Sequence, residues 1–246
     1  MDGLHVGAVR RISAISLVVV LGLITTQVLA APCVVLLHGM GRTNWSMERL
    51  ADRIEAEGYE VVNHDYPSRS GSIDELANTH VPQARAKCTD HDDTVHFVTH
   101  SLGGILVRAY YQVHPPESGS RAVMLGPPNQ GSEVAEKLKD WGPYRWVMGE
   151  PGQSLGVGDE SVPLKLKPID LEVGIIAGTR SYNPLLSHWL PGPDDGKVAV
   201  SATKLSEMKD FISIKTTHAS MMRDDDVIDQ VVHFLKNGRF EHQSSH

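Results

Sequence analysis

The residues with the clearest chemical potential surround Ser101. Residues 97–104 have the sequence FVTHSLGG, so a serine directly follows an apolar run typical of a buried strand and directly precedes a glycine-rich helix start. A serine hydroxyl is a weak nucleophile unless a tight turn exposes it and a base lies nearby. Such a strand–turn–helix elbow needs small residues two positions before and after the serine. Gly103 satisfies this requirement, whereas Thr99 stands where glycine is usual. We expect Ser101 to be a nucleophile; a plain helix N-cap serine is the alternative.

Three further segments accompany the one around Ser101. They are LHGMG at residues 37–41, GPPNQGS at residues 126–132 and DGKV at residues 195–198. With these motifs the chain resembles the α/β-hydrolase lipases and esterases, especially small bacterial lipases, over essentially all of residues 33–240. The resemblance implies an α/β-hydrolase fold, in which helices flank both faces of a mostly parallel central sheet. It also implies an esterase or lipase that forms an acyl-enzyme on Ser101.

An acyl-transfer reaction needs donors for a negatively charged oxygen, and backbone N–H groups can supply them. The N–H group of Leu102, the residue after the nucleophile, is expected to be one donor. By resemblance to the lipase oxyanion loop, the second is the N–H group of Met40. A simple strand-to-helix turn would also explain the glycines of residues 38–41, but not their pairing with a nucleophile elbow.

The general base must be a histidine late in the chain, because this fold orders its triad as serine, acid, histidine. His218 follows the last predicted strand and precedes the last predicted helix, which is the expected loop. His233 falls inside that helix, His242 and His246 fall in the polar tail, and His188 precedes the acid segment. Position therefore favours His218, and an exposed loop histidine is the alternative.

The catalytic acid has two leading candidates, Asp195 and Asp194. It must accept a hydrogen bond from the histidine ring and favour the imidazolium. The resemblance selects Asp195, because the acid of that family directly precedes a glycine. Asp194 remains open, with Asp170 and residues 224–226 behind it; the latter run is more simply explained as the cap of the last helix.

The elements that must position these residues alternate between strands and amphipathic helices, which favours a mostly parallel sheet covered on both faces. Apolar patterning predicts the following strands and helices, in chain order: strand 33–37, helix 47–57, strand 60–66, helix 72–88, strand 94–99, helix 102–113, strand 121–125, strand 171–179, strand 211–214 and helix 225–236.

Two segments are candidates for contact with the substrate. Residues 132–167 mix charge, tryptophan, glycine and proline, and we expect a short helix followed by an irregular excursion. A lid over the site and a plain surface connection are both open interpretations of that segment. Residues 182–191 are apolar, so Leu185 and Trp189, together with Met221, are predicted pocket residues, although ordinary core packing explains them equally well.

The first thirty residues are predicted to be a signal peptide. Arg10 and Arg11 precede the apolar run 12–24, and Val28-Leu29-Ala30 provides small residues for cleavage after Ala30. The apolar run is shorter than the roughly 20 residues of a spanning helix. We therefore expect a secreted or periplasmic protein in which residues 31–246 form one hydrolase domain.

The cysteine count is consistent with export but leaves the redox state open. Cys33 and Cys88 are the two cysteines of the chain. In an exported protein they permit one disulfide, and two buried free thiols are the equal alternative.

Composition narrows the partners. The chain has 246 residues, 22% charged residues and a net charge of −7, so it lacks the basic excess of a nucleic-acid binder. The motifs call for no cofactor and no metal. The predicted substrate is a small-molecule or lipid ester, with contact to a lipid interface as a further hypothesis. A thioesterase, an amidase, an acyltransferase or a non-catalytic exported binding protein on the same scaffold are the alternatives.

Overall fold

One parallel sheet organises the molecule. The structure is a computed structural model that describes residues 1, 31–89 and 94–242. Within those residues, six strands pair in the order β2-β1-β3-β4-β5-β6, and every neighbouring pair is parallel. The predicted fold class is confirmed, and the sheet is wholly parallel. The strands are β1 (Cys33–Leu37), β2 (Glu60–His64), β3 (Val95–His100), β4 (Arg121–Leu125), β5 (Glu172–Gly178) and β6 (Asp210–Ile214).

Helices connect the strands, and the structure contains more helices than the sequence predicts. The helices are α1 (Glu48–Ala56), α2 (Ile73–Arg85), α3 (Leu102–Tyr110), α4 (Glu133–Leu138), α5 (Gly142–Gln153), α6 (Val162–Lys165), α7 (Pro184–Ser187), α8 (Val200–Thr203) and α9 (Asp225–Asn237), with 3₁₀ turns at Asn44–Met47 and Met221–Arg223. The four-residue helices α6, α7 and α8 were not predicted from the sequence.

The four inner strands of the sheet, β1, β3, β4 and β5, are buried on both faces, as their largely apolar sequences require. Val35 and Leu37 of β1 point into the core shared with α2 and α3. Val34 and Leu36 alternate to the opposite face and pack with α1 and α9. Because helices pack on both faces, the strands are held in place and provide a rigid support for the loops at their carboxyl ends.

Residues 132–167 are more helical than the sequence suggested. They contain α4, α5 and α6 instead of one short helix and an irregular excursion. The prolines misled the prediction, because those at the starts of α5 and α6 occupy first-turn positions, where a missing N–H costs nothing. Gly149 does interrupt α5, with φ 65° and ψ −165°.

A disulfide joins Cys33, the first residue of β1, to Cys88 beyond the end of α2, with their Cα atoms 5.9 Å apart. Of the two alternatives that the sequence leaves open, the structure contains the disulfide.

The predicted signal peptide lies outside the described residues, apart from Met1. None of the helices in the described part of the chain is long and apolar enough to cross a membrane.

Candidate active site

Ser101 occupies a strained turn between the end of β3 and the start of α3. Its φ of 51° and ψ of −116° make it the one non-glycine residue with a positive φ in the described ranges. Non-glycine residues rarely adopt such angles unless the surroundings impose them, and such strain is common at functional sites. Here Ser101 N donates to Leu125 O at 2.9 Å, and Gly104 N donates to Ser101 O at 3.1 Å. The elbow is therefore held from both sides.

The tight packing beneath the elbow explains its small residues. A Cβ atom on Gly103 would lie 2.6 Å from Leu37 O, so this position cannot carry a side chain without a backbone shift. Thr99 is fully buried, and a Cβ atom on Gly104 would lie 3.2 Å from its Oγ1. Gly104 thus leaves the space that Thr99 occupies, which is how the elbow accommodates a β-branched residue in place of the usual glycine.

His218 and Asp195 form a buried pair on the loops that follow β6 and β5. The Nδ1 atom of His218 lies 2.7 Å from Asp195 Oδ2. The other carboxylate oxygen, Oδ1, accepts from the N–H groups of Lys197 and Val198 at 3.0 and 2.9 Å. His218 N also donates to Asp195 O at 2.9 Å. The loop backbone therefore orients the carboxylate, and the carboxylate orients the imidazole.

Asp194 has different partners from Asp195. Its Oδ1 accepts from Ser187 Oγ at 2.9 Å and from Gly196 N at 2.7 Å. The geometry therefore brings Asp195 to the histidine and assigns Asp194 to the folding of its own loop.

Gly126, the first residue of the GPPNQGS segment, makes room for the His–Asp pair. A Cβ atom there would lie 3.0 Å from Asp195 Oδ2 and 3.2 Å from His218 Nδ1, and the φ of this residue is +53°. Both the space and the backbone angle therefore require glycine.

His100, which the sequence analysis did not single out, holds the backbone of His218. The distance from His100 Nε2 to His218 O is 3.0 Å, so the imidazole donates to that carbonyl. Burial lowers the pKa of His100 well below its usual value, and the nearby His218 and Arg42 act in the same direction. His100 is therefore a neutral side chain beside Ser101 that holds the His218 backbone in place. Its position directly before Ser101 in the FVTHSLGG motif is the sequence signal that could have identified it.

The loop that carries Met40 is held by contacts to the segment after β2. Tyr66 donates from its hydroxyl to His38 O at 2.6 Å, and Gly41 N donates to Ser68 Oγ at 3.0 Å. Among the hydrogen bonds of the described residues, none uses the Met40 N–H group. Leu102 is the first residue of α3, so its N–H has no acceptor within that helix. Both predicted oxyanion donors are therefore left without a partner in their local structure.

Ser101, His218 and Met40 line one cavity of about 160 Å³. No hydrogen bond joins the Ser101 hydroxyl to His218 among the described residues; apo geometries of catalytic pairs are often looser than those with substrate. Most of the apolar wall comes from residues 132–167. The wall residues from this segment are Val134, Ala135, Leu138, Tyr144, Met148 and Leu155.

The three predicted pocket residues, Leu185, Trp189 and Met221, do not line this cavity in the described structure. Leu185 is 78% exposed, because α7 turns its neighbour Leu186 toward the cavity instead. Trp189 packs against a small cluster that includes Val134 and Val198 of the cavity wall, with Lys137 over its ring. Met221 is fully buried in the core on the α1 and α9 face. These three residues therefore lie outside the lining of the cavity that Ser101 and His218 share.

A serine on the elbow after the third strand of a parallel sheet, with a His–Asp pair on later loops, defines the class of α/β hydrolases. The chain belongs to the alpha/beta hydrolase family, whose sequence model matches residues 34–230.

Several solved structures share the fold of this chain. The mature form of a Bacillus licheniformis lipase, BlEst2, is 17% identical with a TM-score of 0.69, covering 84% of this chain and 92% of that one. A metagenomic carboxyl esterase, MGS0156, is 18% identical with a TM-score of 0.64, covering 78% and 66%. Phospholipase PlaB from Legionella pneumophila is 21% identical with a TM-score of 0.58, covering 71% and 46%. No curated protein matches the chain in sequence.

Proposed function

We propose that this protein is an exported carboxylic ester hydrolase, an esterase or lipase, that acts through an acyl-enzyme on Ser101. The observation that carries the proposal is the strained Ser101 elbow facing the same cavity as a His218 ring that is bonded to Asp195 at 2.7 Å. The three residue types and the support around them match the requirements of nucleophilic acyl transfer.

In the first half of the reaction, Ser101 Oγ attacks the ester carbonyl carbon while His218 Nε2 accepts the hydroxyl proton. The carbonyl oxygen becomes an oxyanion and accepts hydrogen bonds from the N–H groups of Met40 and Leu102. Asp195 stabilises the resulting imidazolium and holds the ring in its tautomer. When the carbon–oxygen bond of the alcohol breaks, His218 donates the proton to the leaving oxygen.

In the second half, water replaces the alcohol. His218 takes a proton from the water, whose oxygen attacks the acyl carbon, and the same two N–H groups hold the second oxyanion. The acyl–serine bond then breaks, Ser101 regains its proton from His218, and the carboxylic acid leaves. The apolar wall from residues 132–167 is suited to the acyl chain, since an apolar chain gains free energy there by leaving water.

Export is the second part of the proposal. It is supported by the disulfide between Cys33 and Cys88, because such bonds persist mainly in oxidising compartments. The signal-like sequence of residues 1–30 points the same way. Mass spectrometry of protein from the culture medium and periplasm should find a mature chain that begins at Ala31.

Contact with a lipid interface is the third part. Trp141 is 59% exposed and Trp146 is 84% exposed, both on the segment that walls the cavity. Exposed aromatic side chains are costly in water and suited to a lipid boundary. A lipid ester would then be the natural substrate class.

A fluorophosphonate probe tests the serine hydrolase. Intact mature protein should be labelled on Ser101, and Ser101→Ala should not be labelled. Absence of labelling, or labelling that persists in Ser101→Ala, would support a non-catalytic binding protein instead. Matched p-nitrophenyl esters, thioesters and amides of one acyl chain would then separate an esterase from a thioesterase or an amidase, and added alcohol acceptors would reveal acyl transfer.

A further inference from the structure

Two cationic side chains line the cavity that contains Ser101, one from the oxyanion loop and one from the acid loop. Arg42 lies two residues after Met40 on the oxyanion loop, and Lys197 lies two residues after Asp195 on the acid loop. Both side chains line the cavity together with Ser101 and His218. The proposed mechanism uses neither of them.

Neither cation has a carboxylate ion-pair partner in the part of the chain that the structure describes. Among those residues, the polar contact of the Arg42 guanidinium is a long one, from Nη2 to Ala219 O at 3.4 Å. By contrast, Arg121 and Lys209 elsewhere in the chain both form ion pairs with Glu172. Asp195, the carboxylate near Lys197, is occupied by His218 and two backbone N–H groups.

The charge of Arg42 acts on Lys197. Although the Lys197 residue is solvent-exposed, the protein packed around its ammonium lowers its pKa by desolvation, and Arg42 lowers that pKa further while Asp195 opposes the shift. Desolvation and Arg223 lower the pKa of Arg42. A protein with a net charge of −7 therefore concentrates uncompensated positive charge at its cavity.

The rest of the cavity wall is largely apolar, and within the described ranges the protein offers neither cation a carboxylate partner. A ligand anion would supply that partner. The planar guanidinium of Arg42 suits bidentate bonding to phosphate or carboxylate, and Lys197 adds a point charge from the opposite loop.

We infer that Arg42 and Lys197 bind an anionic group of the substrate, so that this enzyme prefers esters carrying a phosphate or a carboxylate close to the scissile bond. The inference rests on the proposed ester hydrolysis and names its substrate class. The acyl chain lies along the apolar wall, and the anionic group lies between the two cations.

Matched soluble esters of one acyl chain test this preference. The phosphate arm compares the butyryl ester of glycerol 3-phosphate with that of glycerol, and the carboxylate arm compares O-butyryl glycolate with O-butyryl glycolamide. Native protein should show a higher kcat/KM for the anionic member in at least one arm, and the preferred arm identifies the anion. The preference should shrink as salt rises to about 0.5 M, because screening then acts within a few ångströms.

Arg42→Gln and Lys197→Gln should each lower the anionic-to-neutral ratio of kcat/KM about tenfold, the scale of one charge-assisted hydrogen bond. The ratio cancels any general loss of folding or nucleophile reactivity. Lys167→Gln and Arg239→Gln, two exposed cations that do not line the cavity, are the controls and should preserve the ratio.

Two results overturn the inference while the proposed function stands: neutral esters cleaved as well as anionic ones by native protein, or a ratio unchanged in both Gln variants. If no ester of either arm is cleaved and Ser101 is not labelled by fluorophosphonate, the proposed function itself fails and the inference fails with it.

Discussion

Asp195 and Asp194 are adjacent in the chain but meet different partners, and this difference is the sharpest residue-scale prediction of the structure. Asp195→Asn should lower kcat on a soluble ester roughly 10⁴-fold, because an amide cannot hold the histidine tautomer or stabilise the imidazolium. Asp194→Asn should lower it far less, since its carboxylate bonds Ser187 and Gly196. Steady-state kinetics with circular dichroism as a folding control measures both. Equal losses in the two variants would contradict the assignment of the acid.

Thr99 carries a second residue-scale prediction. Its hydroxyl is buried beneath the elbow and has no hydrogen-bond partner in the described structure. Replacing an unpartnered hydroxyl by a methyl group of similar shape removes a desolvation cost, so Thr99→Val should raise the free energy of unfolding by about 1 kcal/mol. Thr99→Ser keeps the hydroxyl and loses a methyl, so it should lower that free energy by about 1 kcal/mol. Urea denaturation measures both; a Thr99→Val variant less stable than the native protein would show that the hydroxyl has a partner.

The disulfide is an element-scale feature, because it fastens the start of β1 to the chain beyond α2. Cys33 and Cys88 are 55 residues apart in sequence, and the crosslink restricts the unfolded chain over that whole loop. The double variant Cys33→Ala/Cys88→Ala should therefore lose about 2–4 kcal/mol of unfolding free energy. Reductant should destabilise native protein in urea melts and leave the double variant unaffected. A native protein of equal stability with and without its disulfide would refute this expectation.

The exposed face of α5 carries the prediction for a lipid surface. Trp146→Gln removes an 84% exposed aromatic ring from the segment that walls the cavity. Adsorption to vesicles that contain ester lipid should weaken about tenfold, because less apolar surface leaves water on binding. Val113→Gln is the matched control: Val113 is 71% exposed and follows α3, which leads away from the elbow. Equal sedimentation of both variants with vesicles would place the contact surface elsewhere.

The elements that the sequence predicted well are those whose burial leaves a simple pattern. The strand at residues 33–37 coincides with β1 because a strand covered on both faces is apolar at every position. The segment 132–167 was harder, since proline in a first helical turn and proline that breaks a helix look alike in sequence. Pocket residues were hardest: a four-residue helix decides that Leu186, not Leu185, faces the cavity, and no periodicity is visible over so short a span.

The candidate site also contains residues that the sequence pattern identifies and residues that it does not. Ser101 and His218 could be nominated because the order of strands and loops limits where a nucleophile and a base can stand. Asp195 was selected over Asp194 by resemblance to a family whose acid directly precedes a glycine. Arg42 and Lys197 gave no comparable signal, since their importance depends on which loops meet at the carboxyl edge of the sheet. Only the folded chain brings the two cations to one cavity.

Across the whole molecule, buried histidines make stability sensitive to acid. His64 and His96 are both buried, and burial lowers the pKa of each to about 4, assisted by Lys87 and Arg121 respectively. His64 lies 3.1 Å from Lys87 Nζ and 3.4 Å from His80, with Asp65 opposing the shift. Because the unfolded chain takes up these protons near pH 6.5 and the folded one near pH 4, acid favours unfolding.

The stability that these histidines contribute is complete above pH 6.5, falls between pH 6.5 and 4, and levels off below, with roughly 3 kcal/mol for each histidine. His96 accepts from Arg121 N through Nδ1 at 3.1 Å, a bond that protonation of Nδ1 would break and that an asparagine oxygen can replace. In urea melts at pH 7.0, 5.5 and 4.5, His96→Asn should therefore lose less stability on acidification than native protein. His188→Asn, at an exposed site, should follow the native slope; a His96→Asn slope equal to the native one would assign the acid sensitivity to other groups.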